Sequence, residues 1–225
     1  MERMDFTAFF QEKLPFWSKL SEEDQKRLCL HSSVKMYQKG EMIHDSTDCA
    51  GVIFVRSGSL RLYIMSEEGR EVTLYRLLPG DMCMLSASCV LQCLTFDVFV
   101  QADIKSECIV IAGPIFASLS EKNPDMKIFA LETAVSRFSD VMWVMQQVLF
   151  MSMDRRLALF IYDETVRTGT PVIALTQEQI AGYIGSAREV VSRMLKYFAS
   201  EGLVEVARKG ITVLDKQRLR KLAGG

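Results

Sequence analysis

The sequence predicts an α+β chain in three parts: an N-terminal antiparallel β-roll, a long central helix that serves dimerisation, and a C-terminal winged helix-turn-helix. Three observations carry this. Leu175 to Leu195 reads as two short helices around one glycine turn, followed by two short strands. The region from Val34 to Ala112 holds a series of short strand-like runs separated by turn residues. Between them, Asp125 to about Met151 repeats apolar residues at helical spacing. The expected boundaries are 1–122 for the roll, 123–152 for the helix and linker, and 153–225 for the winged part.

In the C-terminal part, Thr176 is an N-cap and Gln179, three residues on, completes a capping box. Ile180, Ala181 and Ile184 give the first helix its apolar face. Gly185 can adopt the left-handed conformation that ends a helix, and Ser186 is expected to cap the next. There Val190, Val191, Met194 and Leu195 face inward, while Arg188, Glu189, Ser192 and Arg193 face outward. An exposed arginine can fork onto guanine in a major groove, and a glutamate can accept from the amino group of cytosine. An ordinary charged surface helix is the competing reading, and the pairing of two helices around one glycine weighs against it.

Ser200-Glu201-Gly202 ends that helix, and Leu203–Ala207 and Gly210–Leu214 form a hairpin with Arg208-Lys209 at its tip. Such a wing contacts phosphates and positions the reading helix. Thr176, Gln177, Ser186, Lys196, Arg208 and Lys209 are the expected backbone contacts. Asp215 to Leu222 reads as a closing helix with a basic face. Charge agrees: from Met153 onward the chain holds 12 Lys+Arg against 8 Asp+Glu, whereas the first 152 residues are net −5. A basic end on a nearly neutral chain suits one domain that meets a polyanion.

Composition sets the remaining bounds. With 225 residues and 49% hydrophobic content, the chain can form one large or two small cores. No apolar run reaches transmembrane length, and Met1–Asp5 lacks signal-peptide features, so a cytoplasmic protein without membrane contact is expected. Cys29, Cys49, Cys83, Cys89, Cys93 and Cys108 are scattered, which fits a reducing compartment.

In the first half, Ser21 is expected to cap a helix that begins at Glu22-Glu23-Asp24. Strands are expected at Val34–Tyr37, Glu41–Ile43, Gly51–Arg56, Ser59–Met65, Glu71–Leu78, Phe96–Gln101 and Glu107–Ala112. Ser59 to Ile64 alternates with period two, as for a half-buried strand. In the long helix Leu131, Val135, Phe138, Met142, Met145 and Leu149 recur at intervals of 4, 3, 4, 3 and 4. This is a heptad seam that calls for a partner helix, although Trp143, Val144 and Val148 widen the apolar face and a purely intramolecular core helix is the alternative. A homodimer would place two reading helices about 34 Å apart, one turn of duplex.

Roll, long helix and winged helix-turn-helix in this order resemble the CRP/FNR family of bacterial transcription regulators, whose roll is a cyclic-nucleotide-binding-like domain. The likeness covers nearly the whole chain and is most specific at Gly185-Ser186-Ala187-Arg188-Glu189-Val190-Val191-Ser192-Arg193. By that resemblance Arg188, Glu189, Ser192 and Arg193 would meet bases, and Glu-x-x-Ser-Arg is similar to the FNR type. A palindromic operator of the TGTGA or TTGA kind is implied, as is RNA polymerase as a partner if the protein activates.

The family also implies an effector pocket in the roll, here Gly80, Asp81, Met82, Cys83, Leu85, Ser86, Ser88 and Thr95, with Phe138 and Met142 from the helix. Cyclic-nucleotide binders carry Gly-Glu and, some ten residues later, Arg-Ser or Arg-Thr. This chain has Gly80-Asp81 and then Leu94-Thr95, and between Arg76 and Lys122 the one cation is Lys105. A buried phosphodiester without a cationic partner is heavily penalised, which argues against cyclic AMP. The early cysteine cluster of the iron–sulfur branch is absent, and His31 and His44 offer no clear haem ligand. No metal site is expected and the cofactor stays unknown; Cys83, Cys89 and Cys93 read as small buried residues or as a redox hook. Two other functions stay open: a constitutive DNA-binding dimer with an empty roll, and a cupin-like enzyme, for which two histidines are too few ligands.

Overall fold

The computed structural model describes residues 6–45, 50–85, 97–207 and 210–224. Ser86, Ser88 and Thr95 of the expected effector pocket, Cys89 and Cys93, and the wing-tip residues Arg208 and Lys209 lie outside the described residues. The chain divides into two compact units, Met1–Tyr63 with Leu74–Val141, and Ile64–Thr73 with Met142–Gly225.

Helices α1 (Thr7–Lys13) and α2 (Glu22–Leu30) precede eight strands: β1 (Ser32–Tyr37), β2 (Met42–His44), β3 (Val52–Ser57), β4 (Leu60–Met65), β5 (Glu71–Leu77), β6 (Met82–Cys83), β7 (Phe99–Ala102) and β8 (Ser106–Ile111), all in the first unit except the end of β4 from Ile64 and the start of β5 up to Thr73, which fall in the second. Two four-stranded sheets result, ordered β1-β8-β3-β6 and β2-β7-β4-β5. The pairings between β1 and β8, β3 and β8, β3 and β6, β2 and β7, and β4 and β7 are antiparallel, as a roll requires. One core joins both sheets with the N-terminal helices. The Phe10 ring lies tilted to those of Trp17 at 5.7 Å and Phe54 at 6.3 Å, so α1 is joined to this core through aromatic contacts.

Ser21 caps α2 by accepting from the Asp24 amide at 3.2 Å. Strand β6 has no counterpart among the expected strands; two residues are too few to show a period. The alternation expected for Ser59–Ile64 is corrected: Leu60, Arg61, Leu62 and Tyr63 are all buried. Arg61 lies over the Tyr63 ring at 4.2 Å, so the two residues of the outward row cover one another. Helix α3 (Gly113–Lys122) fills the span after β8.

Helix α4 (Pro124–Phe150) matches the long apolar stretch. Asn123 caps it, accepting from the Met126 amide at 3.1 Å. Met126 and Ala130 are buried, whereas Leu131, Val135, Phe138, Met145 and Leu149 are exposed. Exposure of Val135 at 68% and Phe138 at 61% leaves a continuous apolar stripe on this single chain.

The second unit contains α5 (Met153–Thr168), β9 (Val172–Ile173), α6 (Gln177–Ile184), α7 (Arg188–Ser200), β10 (Val204–Ala207), β11 (Gly210–Val213) and α8 (Lys216–Ala223). Strands β10-β11-β9 form a small sheet, β9 being another two-residue element too short to read from sequence. Leu157, Ile161, Ile180, Ile184, Val191, Leu195, Phe198, Leu203, Ile211 and Leu219 share one core. Helices α5, α6, α7 and α8 meet around it, so burial of their apolar stripes fixes their order in space.

Candidate nucleic-acid interface

Helix α6 opens on the capping box read from the sequence. Thr176 Oγ1 accepts from the Gln179 amide at 3.1 Å, and Gln179 Oε1 accepts from the Thr176 amide at 2.9 Å. The helix ends at Gly185 with φ +61°, a conformation that burdens any residue bearing a Cβ. The Ser186 amide then donates back to the Ala181 carbonyl at 2.9 Å. This closing bond uses Ser186, so the expected cap role is corrected: Ala187 is the N-cap of α7, with no side-chain bond. Ending α6 takes two residues, which delays the start of α7 by one.

Two further groups hold the turn. Thr73 Oγ1 donates to the Gly182 carbonyl at 3.1 Å. The buried Arg156 guanidinium donates to the Ile184 carbonyl and, at 3.3 Å, to that of Gly185. Burial lowers the Arg156 pKa from its ordinary value. The carbonyl ends of α6 supply partial negative charge that this cation meets. Arg156 sits far from the reading helix in sequence and carried no motif signal, which is why sequence reasoning missed it.

Val191, Leu195 and Phe198 fasten α7 to the core, with Met194 partly buried. Arg188, Glu189, Ser192, Arg193 and Lys196 line one open groove along its other side. Arg188, Glu189, Arg193 and Lys196 are exposed and Ser192 is half-buried. Among the described residues, Arg188, Arg193 and Lys196 make no ion pair, unlike Arg56, Arg137, Arg167 and Arg218. Unpaired donors on one helix edge are ready to meet an external acceptor without first breaking an internal bond. Thr176 is exposed at the start of α6, and Gln177 and Ser186 are half-buried.

The β10–β11 hairpin is in register from Val204↔Val213 to Ala207↔Gly210, and β11 also pairs with β9. It is a wing anchored on its inner side. Asp215 caps α8, accepting from the Arg218 amide at 2.9 Å.

In the first unit, Gly80 is exposed, Asp81 half-buried, and Met82, Cys83 and Leu85 buried. Asp81 Oδ2 accepts from the Leu78 amide at 2.8 Å and closes the Pro79–Gly80 turn. Its Oδ1 accepts from Arg137 Nη2 at 3.0 Å, while Arg137 Nη1 donates to Asp140 at 3.2 Å. The guanidinium lies 5.2 Å from the Tyr75 ring centre. Burial pulls the Arg137 pKa down, but Asp81 and Asp140 outweigh it and the net shift is upward. Burial, with Cys83 next, raises the Tyr75 phenol above its ordinary value. Burial likewise pushes the Cys108 thiol up to about 12. A cation therefore does reach Asp81, from α4 rather than from the segment between Arg76 and Lys122. Phe138, the residue after Arg137, is on the exposed stripe, and Met142 is half-buried. Among the described residues no group of three His, Cys, Asp or Glu could hold a metal.

A helical core with a hairpin wing and a polar helix edge whose cations make no ion pair among the described residues, together with an antiparallel roll and a long helix, defines a winged helix-turn-helix transcription regulator. Residues 155–222 match the Crp-like helix-turn-helix domain, and residues 34–123 the cyclic nucleotide-binding domain. A CRP/FNR-family protein from Eubacterium rectale, solved as a crystal structure, is 40% identical, with a TM-score of 0.91 over 95% of this chain and 100% of that one. Transcriptional activator protein anr of Pseudomonas aeruginosa is 28% identical over 84% of this chain and 79% of its own length. Electron transport regulator A of Shewanella oneidensis is 28% identical over 94% of this chain and 86% of its own. This chain belongs to the CRP/FNR family. Its relatives are regulators of transcription and not enzymes, which removes the cupin-like enzyme reading. No helix among the described residues is long and apolar enough to cross a membrane.

Proposed function

We propose that the protein is a homodimeric, sequence-specific DNA-binding regulator acting in the cytoplasm and controlled by a small effector in its roll. Residues 1–122 form the effector-binding part, 123–152 the dimer helix and 153–225 the reader. Two copies pair through Leu131, Val135, Phe138, Met142, Met145 and Leu149, and each inserts α7 into a major groove of a palindromic operator. Arg188, Glu189, Ser192 and Arg193 meet bases; Thr176, Gln177, Ser186, Lys196, Arg208 and Lys209 meet the backbone. Effector binding shifts the population of α4 arrangements and with it the spacing of the two readers. An activating form would also contact RNA polymerase.

The observation that carries this reading is the edge of Arg188, Arg193 and Lys196, without an ion pair among the described residues, on a helix otherwise fastened to the core. The exposed heptad stripe of α4 supports the dimer. Light scattering with and without a palindromic duplex tests it: a mass of two chains that binds one duplex is expected. A single chain per duplex would overturn it.

A further inference from the structure

We propose that the roll takes an effector bearing a carboxylate, and that Arg137 receives it in exchange for Asp81. This rests on the effector-controlled reading above and gives the ligand a chemical class. Helix α4 carries two cations, Lys127 and Arg137; Lys127 is exposed, whereas Arg137 is half-buried against the roll. Arg137 is bound by two carboxylates, each through one nitrogen: Nη2 to Asp81 at 3.0 Å and Nη1 to Asp140 at 3.2 Å. Its Nε is buried and, among the described residues, has no hydrogen-bond partner.

That pattern is a one-armed use of a two-armed edge. A planar carboxylate can take Nε–H and Nη2–H together, which is the strongest arrangement a guanidinium offers. Asp81 does not do so, because its second oxygen already accepts from the Leu78 amide at 2.8 Å to hold the turn. The internal partner is therefore a restrained competitor that leaves a buried donor unsatisfied. A free carboxylate has no such tether and satisfies both donors. The Tyr75 ring, 5.2 Å away, gives the guanidinium an apolar face against which the ligand is desolvated. Phosphate would meet the same cation, but its extra charge beside Asp81 and Asp140 makes it the poorer occupant.

The exchange also has a direction. It frees Asp81 from α4 while Arg137 stays on the helix, one residue before Phe138 of the exposed stripe. Effector binding thus alters the tie between the β5–β6 turn and the helix that carries the dimer seam.

Calorimetric titration of the full-length protein tests this with sodium acetate and sodium benzoate, against acetamide, benzamide and inorganic phosphate at matched ionic strength. The wild type, Asp81→Asn and Arg137→Gln are compared. The carboxylates bind and the amides do not. Asp81→Asn binds benzoate about tenfold more tightly than wild type because the competitor is gone, and Arg137→Gln loses the response. Unaltered carboxylate binding in Arg137→Gln, no binding in Asp81→Asn, or tighter binding of phosphate would each overturn the assignment. Duplex binding measured on the same samples separates the two readings. Absence of carboxylate binding in the wild type with operator binding intact removes this site and leaves the regulator; wild-type carboxylate binding without any operator binding removes the regulator and leaves the site.

Discussion

The guanidinium of Arg156, at the start of α5, donates to the carbonyl of Ile184, the last residue of α6. A cation thus meets the end of a helix whose final carbonyls have no partner within it. Arg156→Ala leaves those acceptors buried and unpaired, with an expected loss of about 2 kcal/mol in stability. Urea unfolding followed by the C-terminal unit's circular dichroism reads it. Arg156→Lys should recover part of the loss, since one donor remains.

Base reading is expected to reside in Arg188 and Glu189. Alanine at either should lower discrimination at one base pair of each half-site by about 1–3 kcal/mol. Lys196→Ala should weaken all duplexes alike and reduce the salt slope by about one unit. Fluorescence anisotropy on a set of operator variants at several salt concentrations distinguishes these outcomes.

The seam on α4 makes a separate prediction. Val135 and Phe138 are among the most exposed apolar side chains of the described residues. Burying each against a second copy contributes about 1.5–3 kcal/mol. Val135→Glu with Phe138→Glu should therefore give a folded monomer with normal circular dichroism and no cooperative operator binding. Sedimentation velocity measures the mass.

Gly185 and Gly69 share a positive φ but differ in surroundings. A Cβ at Gly185 would lie 3.0 Å from Val72 Cγ2, whereas nothing lies within 4 Å of one at Gly69. Gly69→Ala carries the backbone strain alone, about 1–2 kcal/mol. Gly185→Ala must also push the Val72 side chain aside beside the turn that leads into α7, so it should be the more destabilising and should weaken DNA binding. Paired thermal melts and duplex titrations compare them.

Alkaline pH should destabilise the fold. Burial raises Tyr37 from 10.0 to about 12 and Cys108 from 9.0 to about 12. Above about pH 9 the unfolded chain releases these protons first and so binds fewer than the native state. The stability slope with pH is then negative, and stability is lost progressively up to about pH 12. Unfolding free energies at pH 8, 9, 10 and 11 should fall in that order. Iodoacetamide at pH 8 should modify half-buried Cys29 before buried Cys108.

The local signals of this chain were legible where one segment contains both partners. Thr176 and Gln179 are three residues apart, and the α4 stripe repeats along one helix. Relations between distant segments were not. The Arg137–Asp81 pair joins residues 56 positions apart. Arg61 is buried by a cation–ring contact that a hydrophobic alternation count scores as outward. A serine after the glycine reads as a cap in sequence, whereas Ser186 closes the preceding helix by donating its own amide to the Ala181 carbonyl. Strands β6 and β9, with two residues each, exist through their neighbours and carry no period of their own.

Selection from a random duplex library with the full-length protein at physiological salt reads the symmetry of the bound site. A homodimeric reader should enrich a two-fold palindrome whose half-sites lie about one helical turn apart, with a G·C pair in each that loses its preference in Arg188→Ala. Enrichment of a single asymmetric site, or no enrichment over the input library, would contradict it.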